Sequence, residues 1–201
     1  IDNRIQEMIR YPYGCLEQTV SAAFPQLFID EVATGKIFDK QKIVKNVNMA
    51  ISRLANYQID GGGFGYWAGS DSINYWATTY AGQFMVLAED KGYYVPESLY
   101  KNWIKFAKEM TRDKDISNDL KAYTLYVLAL AQQPEVGELN YIYDNNFKDL
   151  SLIGKWYIAG AYEYIGEHET AKKIAGSLSK NVTENRKKDV YYDFGSDMKN
   201  K

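Results

Sequence analysis

Apolar residues in this chain recur at intervals of three and four. Ile43, Val47, Ile51 and Leu54 fall on one helical face, with Lys42, Lys45, Asn46 and Arg53 on the others. The same spacing predicts helices over 15–33, 40–58, 73–91, 97–111, 118–132, 150–165 and 168–179. Breakers separate them: Thr34-Gly35, the Gly61-Gly62-Gly63 run, Gly92, Pro134, Gly137 and Gly166. Pro25 falls inside the first helix, which is therefore expected to kink or divide there. No run alternates long enough to argue for a sheet; Val190-Tyr191-Tyr192-Asp193-Phe194 could form a short extended piece. The fold class is all-α, with antiparallel helical hairpins stacked side by side. Periodicity alone leaves open an open solenoid, a bundle or a closed ring of inner and outer helices.

Composition changes this picture little but prunes the functions. The 201 residues, 46% hydrophobic and 25% charged, sustain a single domain over 1–201 with a proper core. Lys and Arg total 24 against 26 Asp and Glu, a balance that gives no electrostatic reason to expect nucleic acid or an anionic membrane. The longest strongly apolar run, Ala122 to Ala131, is too short to span a bilayer. Ile1-Asp2-Asn3-Arg4 lacks the pattern of a signal peptide, and the chain opens without Met inside a polar helical pattern. We read it as a piece of a longer protein, so missing targeting signals say nothing about where the parent resides.

Cys15 is the single cysteine and His168 the single histidine. No internal disulfide is possible, and a zinc site would need carboxylates to complete it. No metal or cofactor is expected. His168, in Gly166-Glu167-His168-Glu169, reads as a solvated residue at a loop-to-helix junction. The 18 tyrosines suit half-buried helix positions with polar tips. Gly61 to Trp67 lacks the Lys-Ser/Thr of a phosphate-binding loop. Its glycines are expected to let the chain turn while Phe64, Tyr66 and Trp67 pack inward. Asn181-Val182-Thr183 has the form of a glycosylation acceptor and is read as chance.

The segment that carries chemistry is Tyr11-Pro12-Tyr13-Gly14-Cys15-Leu16-Glu17-Gln18-Thr19. Residues three apart on a helical turn are neighbours, so the Cys15 thiol and the Gln18 amide emerge together. A thiol beside a side-chain amide carbonyl can exchange with it, expelling ammonia and leaving an internal thioester. Thiolate leaves readily, so the product is a far better acyl donor than the amide. It needs an apolar cover against water, for which Tyr11, Tyr13 and Phe24 are local candidates, with Trp67, Tyr75 and Trp76 from elsewhere. Gly14 is expected to permit a tight backbone here. Glu17 is expected to orient or cap the local backbone.

Tyr11 to Thr19 resembles the thioester signature of bacterial alpha-2-macroglobulins, whose core reads Cys-Leu-Glu-Gln. Animal relatives, complement components among them, typically carry Gly where this chain has Leu16. The resemblance continues in order through Gly61 to Trp67, Trp76 to Ala81, Gly92 to Pro96 and Ala122 to Leu130. It implies a terpenoid cyclase-like α/α toroid, a ring of paired helices, incomplete here because the chain stops where the family's domain would continue. It also implies a mechanism. A protease cuts a bait segment elsewhere in the parent, the molecule rearranges, and the thioester is exposed. A lysine amine of the protease then attacks the Gln18 carbonyl and frees the Cys15 thiol. Each domain reacts once, as a covalent trap and not a turnover enzyme. The implied partners are target proteases, through lysine amines, and other domains of the parent; the implied location is the periplasm or cell envelope, with a lipoprotein-anchored parent. Some complement members carry a histidine just upstream of the segment matching Asp119 to Leu130, which assists transfer to hydroxyls. None stands there, which favours direct reaction with amines.

Two other readings stay open at this point. Gln58 to Trp67 is also similar to repeats of terpenoid cyclases and prenyltransferases, toroid enzymes of isoprenoids. Against it, the repeat occurs once and no Asp-x-Asp-Asp motif is present. The third reading is a non-covalent binding module that retains the motif unused.

Overall fold

A computed structural model describes residues 8–32 and 39–179. The stretch 190–194, the 181–183 triplet and the C-terminal end of the chain lie outside the described residues. By its internal contacts the chain divides into two compact units, Ile1–Ala107 and Lys108–Lys201.

The first unit holds α1 (Leu16–Ala23), a 3₁₀ turn (Phe24–Phe28), α2 (Ile29–Val32), α3 (Lys40–Leu54), α4 (Tyr75–Asp90) and the start of α5 (Glu97–Arg112). The helix expected over 15–33 is divided at Pro25, which opens the tighter 3₁₀ segment where its missing N–H costs nothing. α1 packs on α3 and α4, its buried face formed by Leu16, Val20 and Ala23. Gln26 and Asn46, both buried, are hydrogen-bonded there. Gln26 donates to the carbonyls of Arg10 and Ala22 at 2.8 Å each and accepts from Asn46 at 3.0 Å. Side-chain caps start α3 and α4: Asp39 accepts from the Lys42 N–H, and Asn74 from the Ala77 N–H, both at 2.9 Å.

α3 ends at Leu54 rather than running to residue 58. Three-residue turns from Arg53 and Leu54 tighten its end and carry the Tyr57 ring into the interior. The segment 55–74 then doubles back on itself. The Ile59 N–H donates to Gly63 O, Gly65 N–H to Tyr57 O, and Asn74 N–H to Phe64 O. Gly62, at φ +103°, lies against α5 so closely that a Cβ there would sit 2.1 Å from the Asn102 carbonyl oxygen. Phe64 is fully buried, its N–H held by Thr78 Oγ1 at 2.9 Å. The expectation that Phe64, Tyr66 and Trp67 all pack inward is corrected here. Tyr66 is half-buried, and Trp67, where the chain turns through Ser70 N–H to Trp67 O, points largely into solvent.

The second unit holds the end of α5, then α6 (Asn118–Leu130), α7 (Val136–Asn145), a 3₁₀ turn (Phe147–Asp149), α8 (Leu152–Tyr164) and α9 (His168–Leu178). α8 packs along both α6 and α9. The core repeats at helical spacing: Ala122, Leu125 and Ala129; Ile158, Ala161 and Tyr162; Ala171, Ile174 and Leu178. Helix α7 is absent from the sequence expectations, where Gly137 reads as a breaker. Gly137 instead falls in the first turn of that helix, and Leu139 and Ile142 bury its inner face. Ser117 and Ser151 cap α6 and α8, and Asp119 accepts from both the N–H and the hydroxyl of Ser151. His168 is exposed at the start of α9, beside Glu163, in the solvated place expected of it.

Candidate functional site

Cys15 is the N-cap of α1 and Gln18 the third residue of its first turn. Gln18 folds its side chain back over the start of the helix, and its Oε1 accepts from the Cys15 N–H at 3.1 Å. The Cys15 side chain faces the Gln18 backbone N–H in return, the reciprocal arrangement of a capping box, with sulfur too weak an acceptor to serve as a cap in its own right. The thiol is buried, with Cys15 only 3% exposed, whereas Gln18 is exposed. A nucleophile from solvent therefore reaches the carbonyl of Gln18 without having to reach the sulfur.

Gly14 makes this fold-back sterically possible. Its φ is +106°, where a side chain is strained, and a Cβ would stand 2.1 Å from Gln18 Oε1. Leu16 is fully buried, and its N–H donates to the Tyr66 carbonyl at 3.0 Å, which ties the motif to the glycine-rich segment.

Two tyrosines that the sequence did not single out as site residues complete the arrangement. The Tyr57 hydroxyl donates to the Gly14 carbonyl at 2.6 Å. Arg53 donates to the same hydroxyl at 3.3 Å, and Thr19 Oγ1 lies 3.3 Å from it. Tyr57 thus clamps the turn that presents Cys15. The signal was present, since Tyr57 continues the Ile43, Val47, Ile51, Leu54 face by one further step of three. Tyr66 donates to Glu17 Oε2 at 2.6 Å. The hydrogen bond to Glu17, with the Cys15 side chain nearby, holds the Tyr66 hydroxyl well above the usual phenol range. It therefore stays a neutral donor to Glu17. Glu17, expected to cap or orient backbone, instead receives the hydrogen bond of a side chain 49 residues away.

The aromatic residues named as shields are open on their outer sides. Tyr11, Tyr13 and Trp67 are 44%, 69% and 60% exposed; Tyr11 and Tyr13 lie with ring centroids 6.1 Å apart, and Trp67 sits edge-on to Tyr66. Tyr75 and Trp76 are also exposed, while Phe24 stacks on Tyr80 within the unit. Among the described residues no helix is long and apolar enough to cross a membrane.

Comparison with known proteins places this geometry. The family model of the A-macroglobulin TED domain matches residues 1–114. Alpha-2-macroglobulin of Escherichia coli (strain K12) is 29% identical over 97% of this chain, which spans 13% of that relative's length. The crystal structure of native Escherichia coli alpha-2-macroglobulin from domain MG7 to the C-terminus matches with a TM-score of 0.76. It shares 26% identity and is covered over 94% of this chain and 32% of that one. The trypsin-activated form of the Escherichia coli protein matches with a TM-score of 0.76 at 27% identity, over 85% of this chain and 13% of that one. The fold class is thus the all-α, α/α-toroid class that the resemblance implies, and the matching family model is that of the TED domain rather than of an isoprenoid enzyme. Motif, fold and family model agree: the chain belongs to the A-macroglobulin TED, or thioester, domain family, in the line of the bacterial alpha-2-macroglobulins.

Proposed function

We propose that Cys15 and Gln18 join in an internal thioester, and that this domain serves its parent as a single-use covalent trap for proteases. The observation that carries the proposal is the Gln18 carbonyl oxygen docked on the Cys15 N–H at 3.1 Å, beside the buried thiol. A hydrogen bond to that oxygen polarises the amide and stabilises the charge that develops when sulfur attacks its carbon. Formation releases ammonia. Reaction with an amine then cleaves the C–S bond, leaves an amide at position 18 and returns the Cys15 thiol. Nothing regenerates the thioester, so each domain acts once.

The relative solved after trypsin activation supports a protease as the trigger. On this reading, protease cleavage of a bait elsewhere in the parent exposes Gln18, and a protease lysine supplies the amine. All 201 residues, both compact units included, count as one domain of that larger chain. The open outer faces of Tyr11, Tyr13 and Trp67 call for a cover from another domain of the parent before activation. The family points to the periplasm or cell envelope as the site of action.

Intact mass under denaturing, non-reducing conditions, with and without methylamine, tests the bond. The expected result is a mass lower than the sequence by one ammonia, followed by gain of one methylamine and one free thiol. A mass equal to the sequence, with Cys15 alkylatable from the outset and Gln18 unchanged, would overturn the proposal.

A further inference from the structure

Three hydrogen bonds run in series to the reacting carbonyl. Arg53, in the last turn of α3, donates from Nη2 to the Tyr57 hydroxyl at 3.3 Å. That hydroxyl donates to the Gly14 carbonyl at 2.6 Å. The Gly14 C=O and the Cys15 N–H belong to one peptide group, and the Cys15 N–H donates to Gln18 Oε1 at 3.1 Å. A tyrosine hydroxyl has a single proton, which Gly14 receives here. Thr19 Oγ1, 3.3 Å away, therefore donates to the Tyr57 oxygen as Arg53 does. Tyr57 is 2% exposed and Thr19 fully buried, so the middle of the series is screened from water. The Arg53 Nε is buried with no hydrogen-bond partner, and among the described residues no carboxylate neutralises the guanidinium. Its charge thus bears on Tyr57.

We infer that Arg53 and Tyr57 are positioning residues for the thioester chemistry, which polarise the Gly14–Cys15 peptide and so strengthen the N–H that holds the Gln18 carbonyl oxygen. The inference rests on the thioester reading above and deepens it. A hydroxyl that accepts from a cation is a stronger donor. A hydrogen bond to a peptide oxygen draws charge through the resonant C–N bond and leaves its N–H more positive. Reaction at Gln18 uses that N–H twice. When the thioester forms, sulfur bonds to Cδ and the C=O pair moves onto Oε1, against the Cys15 N–H. The pair returns, the C–N bond breaks, and the nitrogen leaves as ammonia with the thiol proton. When an amine opens the thioester, its nitrogen bonds to Cδ and the pair again moves onto Oε1. Its return breaks the C–S bond, and the amine proton ends on sulfur. Arg53 and Tyr57 touch no reacting atom and keep their protons in both steps.

Tyr57→Phe keeps the ring and breaks the series at its middle. Arg53→Met keeps an unbranched stem without the charge, and Arg53→Lys restores the charge. The test uses the 201-residue chain with carbon-13 in its glutamine side-chain carbonyls. It reads ammonia loss by intact mass, the rate of thiol release by methylamine, and the thioester carbonyl stretch by infrared difference before and after methylamine. Full loss of such a donor slows reaction by about 10²–10³, and each link in a series changes hydrogen-bond strength by about 10–30%. The expected result is a methylamine reaction slowed about tenfold in Tyr57→Phe and roughly threefold in Arg53→Met. The carbonyl stretch should rise in the same order, and Arg53→Lys should return rate and stretch toward those of the parent sequence. A clamp that only holds the turn would slow the reaction without a carbonyl shift that follows the charge at position 53.

A stretch unmoved in both Tyr57→Phe and Arg53→Met would overturn the inference, whatever the rates. If Tyr57→Phe fails to fold or to lose ammonia, the two Arg53 variants decide, and equal rates and stretches in Arg53→Met and Arg53→Lys would overturn it. If the parent sequence loses ammonia and all three variants match it, the polarising role fails alone. If the parent sequence never loses ammonia, the thioester reading fails and this inference with it.

Discussion

In the second unit, helices follow one another through the short connections 113–117, 131–135, 146–151 and 165–167, and most of its buried residues keep helical spacing. The first unit interrupts its helices with the segment 55–74 and the turn at Gly14. Both interruptions converge on one place, because Tyr57 and Tyr66 from the long segment touch the motif that Gly14 opens. Regular helix supplies the packing, and the departures from it supply the chemistry. At the motif a side-chain carbonyl is aimed at an N–H and a hydroxyl at a carboxylate. A helix alone presents side chains outward and satisfies its own backbone.

The sharpest way to break this contrast is Gly14→Ala. The added methyl would meet Gln18 Oε1 at 2.1 Å on a backbone at φ +106°. We expect complete loss of the methylamine-reactive species by mass, with about 1–3 kcal/mol lost from the first unit's stability in urea and no change in the second's helical signal. Gly82→Ala should do less, and to packing only. Its Cβ would stand 1.9 Å from the indole of Trp103, which is fully buried and donates to Thr78 O. Displacing that ring should lower stability by about 1–3 kcal/mol, read from the urea midpoint, while the chain still loses ammonia.

The smallest effect, and of opposite sign, belongs to the second unit. α4, α6 and α8 all end in the same way, with an N–H beyond the left-handed residue reaching back to a carbonyl of the last turn: Tyr93 to Ala88, Gln133 to Leu128 and Glu167 to Tyr162. Glycine holds the left-handed position at 92 and 166, but at 132 it is Gln, with φ +57°. Gln132→Gly should raise the unfolding midpoint by an amount worth roughly 0.5–1 kcal/mol and leave methylamine reactivity untouched.

Much of the helical pattern was legible in the residues, because one-sided burial repeats at three and four, as α3 illustrates. α7 was not, since it buries only Leu139 and Ile142 and begins with a glycine in its first turn, where the helix tolerates one. Of the site, the local part could be read directly: Gly14, Cys15 and Gln18 lie within one turn, and their proximity follows from spacing. Tyr57 and Tyr66 could not be read that way, because their contacts depend on how 55–74 folds back. No periodicity encodes that path. Tyr66 and Trp67 stand side by side in a bend that carries one ring to the motif and leaves its neighbour in solvent, and no pattern in the sequence marks which is which.

The separation along the chain between the reacting pair and its two tyrosines has a consequence for biosynthesis. Cys15 and Gln18 can meet as soon as a single turn forms, but the hydroxyls of Tyr57 and Tyr66 come 43 and 49 residues after the groups they bind. At a synthesis rate of about 5–20 residues per second, the nascent chain carries the pair for several seconds before either tyrosine emerges. A bond whose formation waits on those residues is made late, on a domain already folded around it, and the growing polypeptide is spared an exposed acyl donor.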